Sequence, residues 1–189
     1  MASLSSYLAE ANTVFAAAAL DMQLQTAWQQ ACDLILAALQ AGNTVFVAGN
    51  GGSAADAQHF AGELTGRFRA ERRSYPGIAL TVDTSALTSI SNDYGFVRVF
   101  SRQLEGLGRA GDVLVVISTS GNSANLVHAC VTAEQKKIKT IGLLGRDGGV
   151  LKEFLDIPVI VRANVTSHIQ EVHLQMYHCF CLAVDELHG

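Results

Sequence analysis

The chain holds no Cys-x-x-Cys pair: its four cysteines, Cys32, Cys130, Cys179 and Cys181, lie far apart or as Cys-x-Cys. That spacing argues against a disulfide framework and predicts reduced thiols on core or helix faces of a cytoplasmic protein. Basic residues do not dominate. Thirteen stand against 17 acidic ones, for a net charge of −4, and no long basic run appears. A general nucleic-acid-binding surface is therefore not expected, although a local basic patch is compatible with these numbers. No apolar run is long enough to cross a bilayer. The first residues lack a basic stretch followed by an apolar block, so no secretory signal is expected. Proline and glycine are both missing from residues 4 to 40, a segment rich in Ala, Leu and Gln. That composition predicts helix.

Hydrophobic residues make up 49% of the 189 residues, enough for one substantial core and a single domain over 1–189. The helical segment 1–40 precedes a core over 41–189. Ala41-Gly42-Asn43 ends the first segment with C-cap chemistry. Short apolar runs at Thr44–Ala48, Ile78–Val82, Val113–Ile117, Lys139–Leu144 and Ile157–Val161 read as five strands. Helices are predicted between them at Ala54–Gly66, Ser85–Ser91, Val97–Leu107 and Ala124–Lys136, with a last one over Ser167–Leu187. Arg67–Ser74 is charged and expected to be exposed. The alternation implies an α/β fold: three layers, α/β/α, around a five-stranded, mostly parallel, doubly wound sheet with long N- and C-terminal helices. Ligands bind such sheets beyond the carboxyl ends of the strands.

Two loops sit at such ends. Val113–Ile117 runs into Ser118-Thr119-Ser120-Gly121-Asn122-Ser123, and Val45–Ala48 into Gly49-Asn50-Gly51-Gly52-Ser53. Each is strand, small polar loop, helix. Small side chains let backbone N–H groups approach an anion, the hydroxyls of Ser118, Ser120 and Ser123 add donors, and the following helix adds its positive end. The loop over 118–123 has no lysine, so it is not a Walker-type nucleotide loop.

At these loops the chain resembles the sugar isomerase (SIS) domain family, and within it the bacterial phosphoheptose isomerases. The resemblance continues through Asp56-Ala57-Gln58-His59-Phe60, Glu63-Leu64, Asn92-Asp93, Ser118–Asn125, Gly145-Arg146-Asp147-Gly148-Gly149 and Ile169-Gln170-Glu171-Val172-His173. It implies interconversion of sedoheptulose 7-phosphate and D-glycero-D-manno-heptose 7-phosphate, an early step toward the activated heptose of lipopolysaccharide core. It also implies a cytoplasmic homotetramer with active sites between subunits, and no nucleic-acid or membrane partner.

That reaction needs a base beside a carbon and a group that stabilises enediolate oxygens. Glu63 is the candidate base. It follows His59 by four residues on a predicted helix, so the two share a face and could also share a metal ion. A pair at that spacing is more often a surface couple; its place after the glycine loop and the resemblance reverse that reading. The resemblance adds Gln170 and His178, making His59, Glu63, Gln170 and His178 the ligands of one zinc ion per site. Gln170 and His178 lie about 12 Å apart along a helix axis, so both reach one ion only by leaning together. His173 is nearer to Gln170, and local geometry leaves it open; its bland reading is a polar residue facing the loops or another subunit. His178 is the candidate second acid/base. His128 reads as a packing or surface residue and His188 as a solvated terminal one.

By resemblance, Ser118, Thr119, Ser120 and Ser123 hold the phosphate, Asn50, Gly51, Gly52 and Ser53 line the sugar hydroxyls, and Asn92 and Asp93, just after a helix, contact substrate together with Glu63 and Gln170. Arg67 and Arg69 are at most steering charges. The chain departs from some family members at Ser167 and His168, where an acidic residue and an arginine stand. A non-catalytic relative binds the replication initiator DnaA as a tetramer and lacks the equivalents of Glu63 and His178. Their presence here is the discriminator. Phe15, Leu24, Trp28, Leu34, Ile35 and Leu39 carry more apolar surface than one sheet face needs, which predicts a subunit interface for residues 1–40.

Overall fold

The computed structural model describes residues 3–187. Two helices open the chain, α1 (Leu4–Leu20) and α2 (Met22–Gln40). One helix was expected here. Asp21 divides it: its backbone leaves the helical region, and its carboxylate accepts the amide N–H groups of Gln23 and Leu24 at 3.0 and 3.1 Å. A capping aspartate can thus end one helix and start the next without glycine or proline.

Five strands follow: β1 (Val45–Gly49), β2 (Gly77–Ala79), β3 (Val113–Ser118), β4 (Lys139–Gly145) and β5 (Ile157–Val161). Every pairing is parallel, in the order β2-β1-β3-β4-β5. The connecting helices are α3 (Gly52–Thr65), α4 (Thr84–Tyr94), α5 (Val99–Leu107) and α6 (Ala124–Gln135), and α7 (Thr166–Glu186) closes the chain. Strand alternation sorts the core into two layers. Val45, Val47, Val113, Val115 and Ile117 pack under α2, α3 and α7. Phe46, Ala48, Leu114 and Val116 pack under α5 and α6. Each such side chain contributes on the order of 1.5–3 kcal/mol when fully buried, so both faces must stay covered and the sheet is doubly wound.

The strand order matters for the site. The chain leaves β1 toward β2 on one side, then returns to β3 on the other. The crevice between β1 and β3 is therefore the topological switch point, where open parallel sheets bind ligands. α3 and α6 start at that crevice from opposite faces of the sheet.

Arg67–Ser74 differs from its expected exposure. The Arg72 side chain is fully buried and paired to Asp185 of α7 at 2.7 Å. Its guanidinium also donates to the carbonyls of Glu63, Leu64 and Arg73 at 2.7, 3.1 and 3.0 Å. Asp185 in turn accepts the amides of Arg69 and Ala70 at 2.7 and 2.9 Å. Burial works to raise that carboxyl; the amides of Ala70 and Arg69 and then Arg72 outweigh it, and it lies below the ordinary carboxylate range. Arg67 is exposed and reaches Glu71 at 3.6 Å. Cys32, Cys130 and Cys181 are buried, Cys179 is exposed, and all are free. Among the described residues no helix is long and apolar enough to cross a membrane.

Candidate active site

Both glycine-serine loops open into the β1–β3 crevice. Asn50, after β1, and Asn125, in the first turn of α6, exchange side-chain amide hydrogen bonds of 3.0 and 2.9 Å across it. Gly51 adopts φ +58°, which glycine tolerates and other residues rarely do. α3 starts at the next residue, so the loop turns directly into a helix N-terminus.

The second loop is built onto a third. Ser118 Oγ accepts the Gly121 amide at 3.1 Å, and Ser120 Oγ accepts the Asn122 amide at 3.3 Å. Gly121 sits at φ +67°, where a Cβ would stand 2.1 Å from the carbonyl oxygen of Gly148. The Leu151 amide donates to the Gly121 carbonyl at 2.8 Å, and the Val150 amide to Asn122 Oδ1 at 3.1 Å. The stretch 148–151 is thus the floor on which Ser118–Ser123 rests. Thr119, Ser120 and Ser123 are half-buried at its rim. Ser123 is the N-cap residue of α6, yet its hydroxyl makes no capping bond. The loop thus delivers the chain directly to the positive end of α6, an arrangement suited to an anion.

The titratable groups lie along the contact of α3 with α7. His59 Nε2 and Glu63 Oε1 are 3.1 Å apart, one helical turn from each other. The His178 ring stands 5.1 Å from the His59 ring, nearly perpendicular, and packs against Phe68 at 5.2 Å. Desolvation, followed by the neighbouring His59, lowers the His178 pKa below the ordinary imidazole value; Glu63 opposes the shift. His173 lies elsewhere. It is fully buried, its Nε2 donates to the Leu144 carbonyl of β4 at 3.0 Å, and burial pushes its pKa down to about 4. It faces neither the loops nor a surface.

Gln170 is held apart from the His59–Glu63 pair. Its Nε2 donates to Asp56 Oδ2 at 2.8 Å, and its amide lies so close to Gly52 that a Cβ there would stand 2.5 Å from Gln170 Oε1. Tyr177 joins the two groups. Its hydroxyl lies 3.1 Å from His59 Nδ1 and 3.4 Å from Asp56 Oδ1. Asp56 is buried, which raises its pKa, against the effect of the Gln170 and Tyr177 hydrogen bonds. Burial and Asp56 together raise the Tyr177 phenol.

Asp56 lies inside a resemblance motif to which the sequence gives no role of its own, and nothing in the sequence marks Tyr177. Asp56 precedes His59 by three residues, and that shared helix face was the available signal; Tyr177 is visible only once α7 packs on α3. Asn125 lies inside a resemblance motif but was not singled out. Asn92 and Asp93 fall within α4, not after it, because Asp83 caps the helix and it runs on until Gly95 at φ +82°. Both are exposed, and Asn92 donates to Asp93 at 2.8 Å. α4 buries none of its side chains in the single chain. At the departure noted above, His168 is buried, with Nδ1 3.0 Å from Glu171 and its ring 4.6 Å from that of Tyr7. His128 is exposed, and His188 lies outside the described residues.

The donors His59, Glu63, Gln170 and His178 are chemically suited to a borderline divalent ion such as zinc. Among the described residues no three His, Cys, Asp or Glu side chains are arranged to hold a metal ion. The set stands as one hydrogen-bonded pair, one facing imidazole and one amide turned to Asp56.

A model of the SIS domain matches residues 6–145. The chain belongs to the SIS domain family. Among its relatives, the phosphoheptose isomerase of Aliarcobacter butzleri is 53% identical over 162 residues, 86% of each chain. That of Campylobacter concisus is 53% identical over 156 residues, 82% of each. The solved phosphoheptose isomerase of Neisseria gonorrhoeae superposes with a TM-score of 0.91 at 44% identity, covering 97% of both chains. That of Francisella tularensis gives 0.92 at 36% identity, covering 97% of this chain and 96% of the other. The chain is thereby a member of the phosphoheptose isomerases, and so an enzyme of the isomerase class.

Proposed function

We propose that the protein interconverts sedoheptulose 7-phosphate and D-glycero-D-manno-heptose 7-phosphate through an enediol. The observation that carries this reading is the convergence of Glu63, His59 and His178 on one helix pair, in a chain related to named phosphoheptose isomerases. The non-catalytic, DnaA-binding alternative is not favoured, because the relatives bear an enzyme's name and both Glu63 and His178 are present.

Ser118, Thr119, Ser120 and Ser123 hold the phosphate, aided by the N-terminus of α6. Anchoring the remote phosphate fixes the reacting carbons, converting binding into orientation. Asn50, Gly51, Gly52 and Ser53 line the sugar hydroxyls, with Asn92 and Asp93 as further contacts. Glu63 takes the proton from C1 of the ketose and returns it to C2, giving the aldose. His178 moves the accompanying proton between the two sugar oxygens. Its lowered pKa favours the neutral imidazole, which can both accept and donate. His59, Glu63, Gln170 and His178 would hold one zinc ion, which supplies Lewis-acid stabilisation of developing oxygen charge.

The assembly is a homotetramer with sites between subunits. The unburied face of α4, which carries Asn92 and Asp93, and the exposed Leu4, Tyr7 and Leu8 of α1 support that reading. The free thiols suit a cytoplasmic enzyme, and its product would feed activated heptose for lipopolysaccharide core. The test is an isomerase assay on sedoheptulose 7-phosphate after chelation, with divalent metals restored one at a time. Activity that vanishes and returns with zinc supports the reading; no product under any condition overturns it.

A further inference from the structure

His178 makes no hydrogen bond among the described residues. Its ring contacts are three. His59 and Tyr177 stand at 5.1 Å, each nearly perpendicular to the imidazole. Phe68 lies at 5.2 Å with its plane tilted only 30° from it. The last torsion of a histidine is soft and broad, so a ring without a hydrogen bond keeps one orientation only where its neighbours wall it in. Phe68 is the wall that lies nearer parallel to the imidazole than perpendicular.

Phe68 reaches that place on a segment with no regular structure. α3 ends at Thr65, and residues 66–73 read Gly-Arg-Phe-Arg-Ala-Glu-Arg-Arg, one aromatic among four arginines. Asp185 holds this segment on α7. Its carboxylate accepts the amides of Arg69 and Ala70 at 2.7 and 2.9 Å and pairs with Arg72. Asp185 follows His178 by seven residues, about two helical turns, so the two share a face of α7. The amide bonds therefore fix the backbone beside Phe68 where its ring meets His178. The Arg69 guanidinium lies 5.3 Å from the centre of the Phe68 ring, and that ring packs on the edge of the core, two further contacts that hold it.

We infer that Phe68, pinned by Asp185, is a positioning residue that holds the His178 imidazole in the orientation it presents toward His59. Proton transfer needs a ring nitrogen within about 2.6–3.2 Å of the atom it serves. A misplacement of about 1 Å can cost on the order of 10²-fold in rate, so a fixed ring serves the reaction and a swinging one does not. The kinetic part of this inference rests on the reading of His178 as an acid/base given above. The orientational part does not.

Phe68→Ala removes the wall, and Phe68→Tyr keeps the flat ring. Crystal structures of wild type and both variants, each treated with chelator so that the protein alone holds the ring, report the place of His178. Wild type and Phe68→Tyr should show one orientation, and Phe68→Ala a displaced ring or more than one conformer. On sedoheptulose 7-phosphate, kcat should fall about tenfold in Phe68→Ala and return in Phe68→Tyr. KM should stay within about twofold, the pattern of an interaction lost in the transition state alone. Phe68→Leu, which keeps apolar bulk without the flat face, serves with the same expectation if Phe68→Ala fails to fold. A folded Phe68→Ala protein whose His178 ring keeps its wild-type place overturns the inference. A displaced ring with undiminished turnover upholds the positioning role and contradicts the acid/base role of His178. Wild-type protein without turnover contradicts the proposed reaction, while the crystal structures still decide the role of Phe68.

Discussion

Asn50 and Asn125 exchange two amide hydrogen bonds across the β1–β3 switch point, joining the loop after one strand to the helix after the other. The bridge couples the proposed sugar-binding loop to the proposed phosphate-binding loop. Asn125→Ala leaves the half-buried Asn50 amide without that partner, at a cost of about 1–3 kcal/mol. Steady-state kinetics should show KM for the sugar phosphate rising several-fold, with kcat less affected. An unchanged KM would mean that the two loops are set independently.

Gly52 controls where Gln170 points. A Cβ at position 52 would stand 2.5 Å from Gln170 Oε1, the far end of a flexible side chain. Gly52→Ala should therefore push Gln170 off Asp56 with little loss of stability. The expected result is kcat about tenfold lower at a nearly unchanged melting temperature, a barrier change of about 1.4 kcal/mol. Equal turnover would separate Gln170 from the chemistry.

The Arg72–Asp185 pair ties the end of α3, which carries Glu63, to α7, which carries His178. Both side chains are almost wholly buried. Removing one partner strands the other charge, so Asp185→Ala should lower unfolding free energy by about 3–5 kcal/mol. Urea denaturation measures it; a loss below about 1 kcal/mol would show that water reaches the pair.

His173 makes the fold sensitive to mild acid. Burial lowers its pKa from 6.5 to about 4. A histidine depressed in the folded state leaves stability unaffected while both states are neutral, above about 6.5. As pH falls from there toward 4, the unfolded chain takes up the proton and the folded one does not, so stability is lost. The loss from this residue is roughly 3 kcal/mol across the window. His173→Leu should flatten that part of a stability-against-pH curve; an identical slope would contradict the assignment.

The apolar runs made the sheet legible, because a run such as Val113–Ile117 must be covered on both sides. The loops were legible for a related reason: small polar residues at a strand's carboxyl end leave room for an anion. Three features were not. Asp21 breaks a helix whose composition has no breaker, so only its capping chemistry marks the break. Arg72 is the kind of residue that is almost always solvated, and its partner lies 113 positions away. Tyr177 meets His59 and Asp56 only when α7 packs on α3, a contact local periodicity does not encode. At the candidate site, helix spacing paired His59 with Glu63, whereas the place of His178 beside them depends on the packing of two distant helices.

The most direct test of the central claim is turnover of sedoheptulose 7-phosphate by the wild-type protein beside Glu63→Gln. The account predicts measurable aldose formation by wild type and a kcat about 10²–10⁴-fold lower in the variant, with KM changed much less. Undiminished turnover by Glu63→Gln would contradict it.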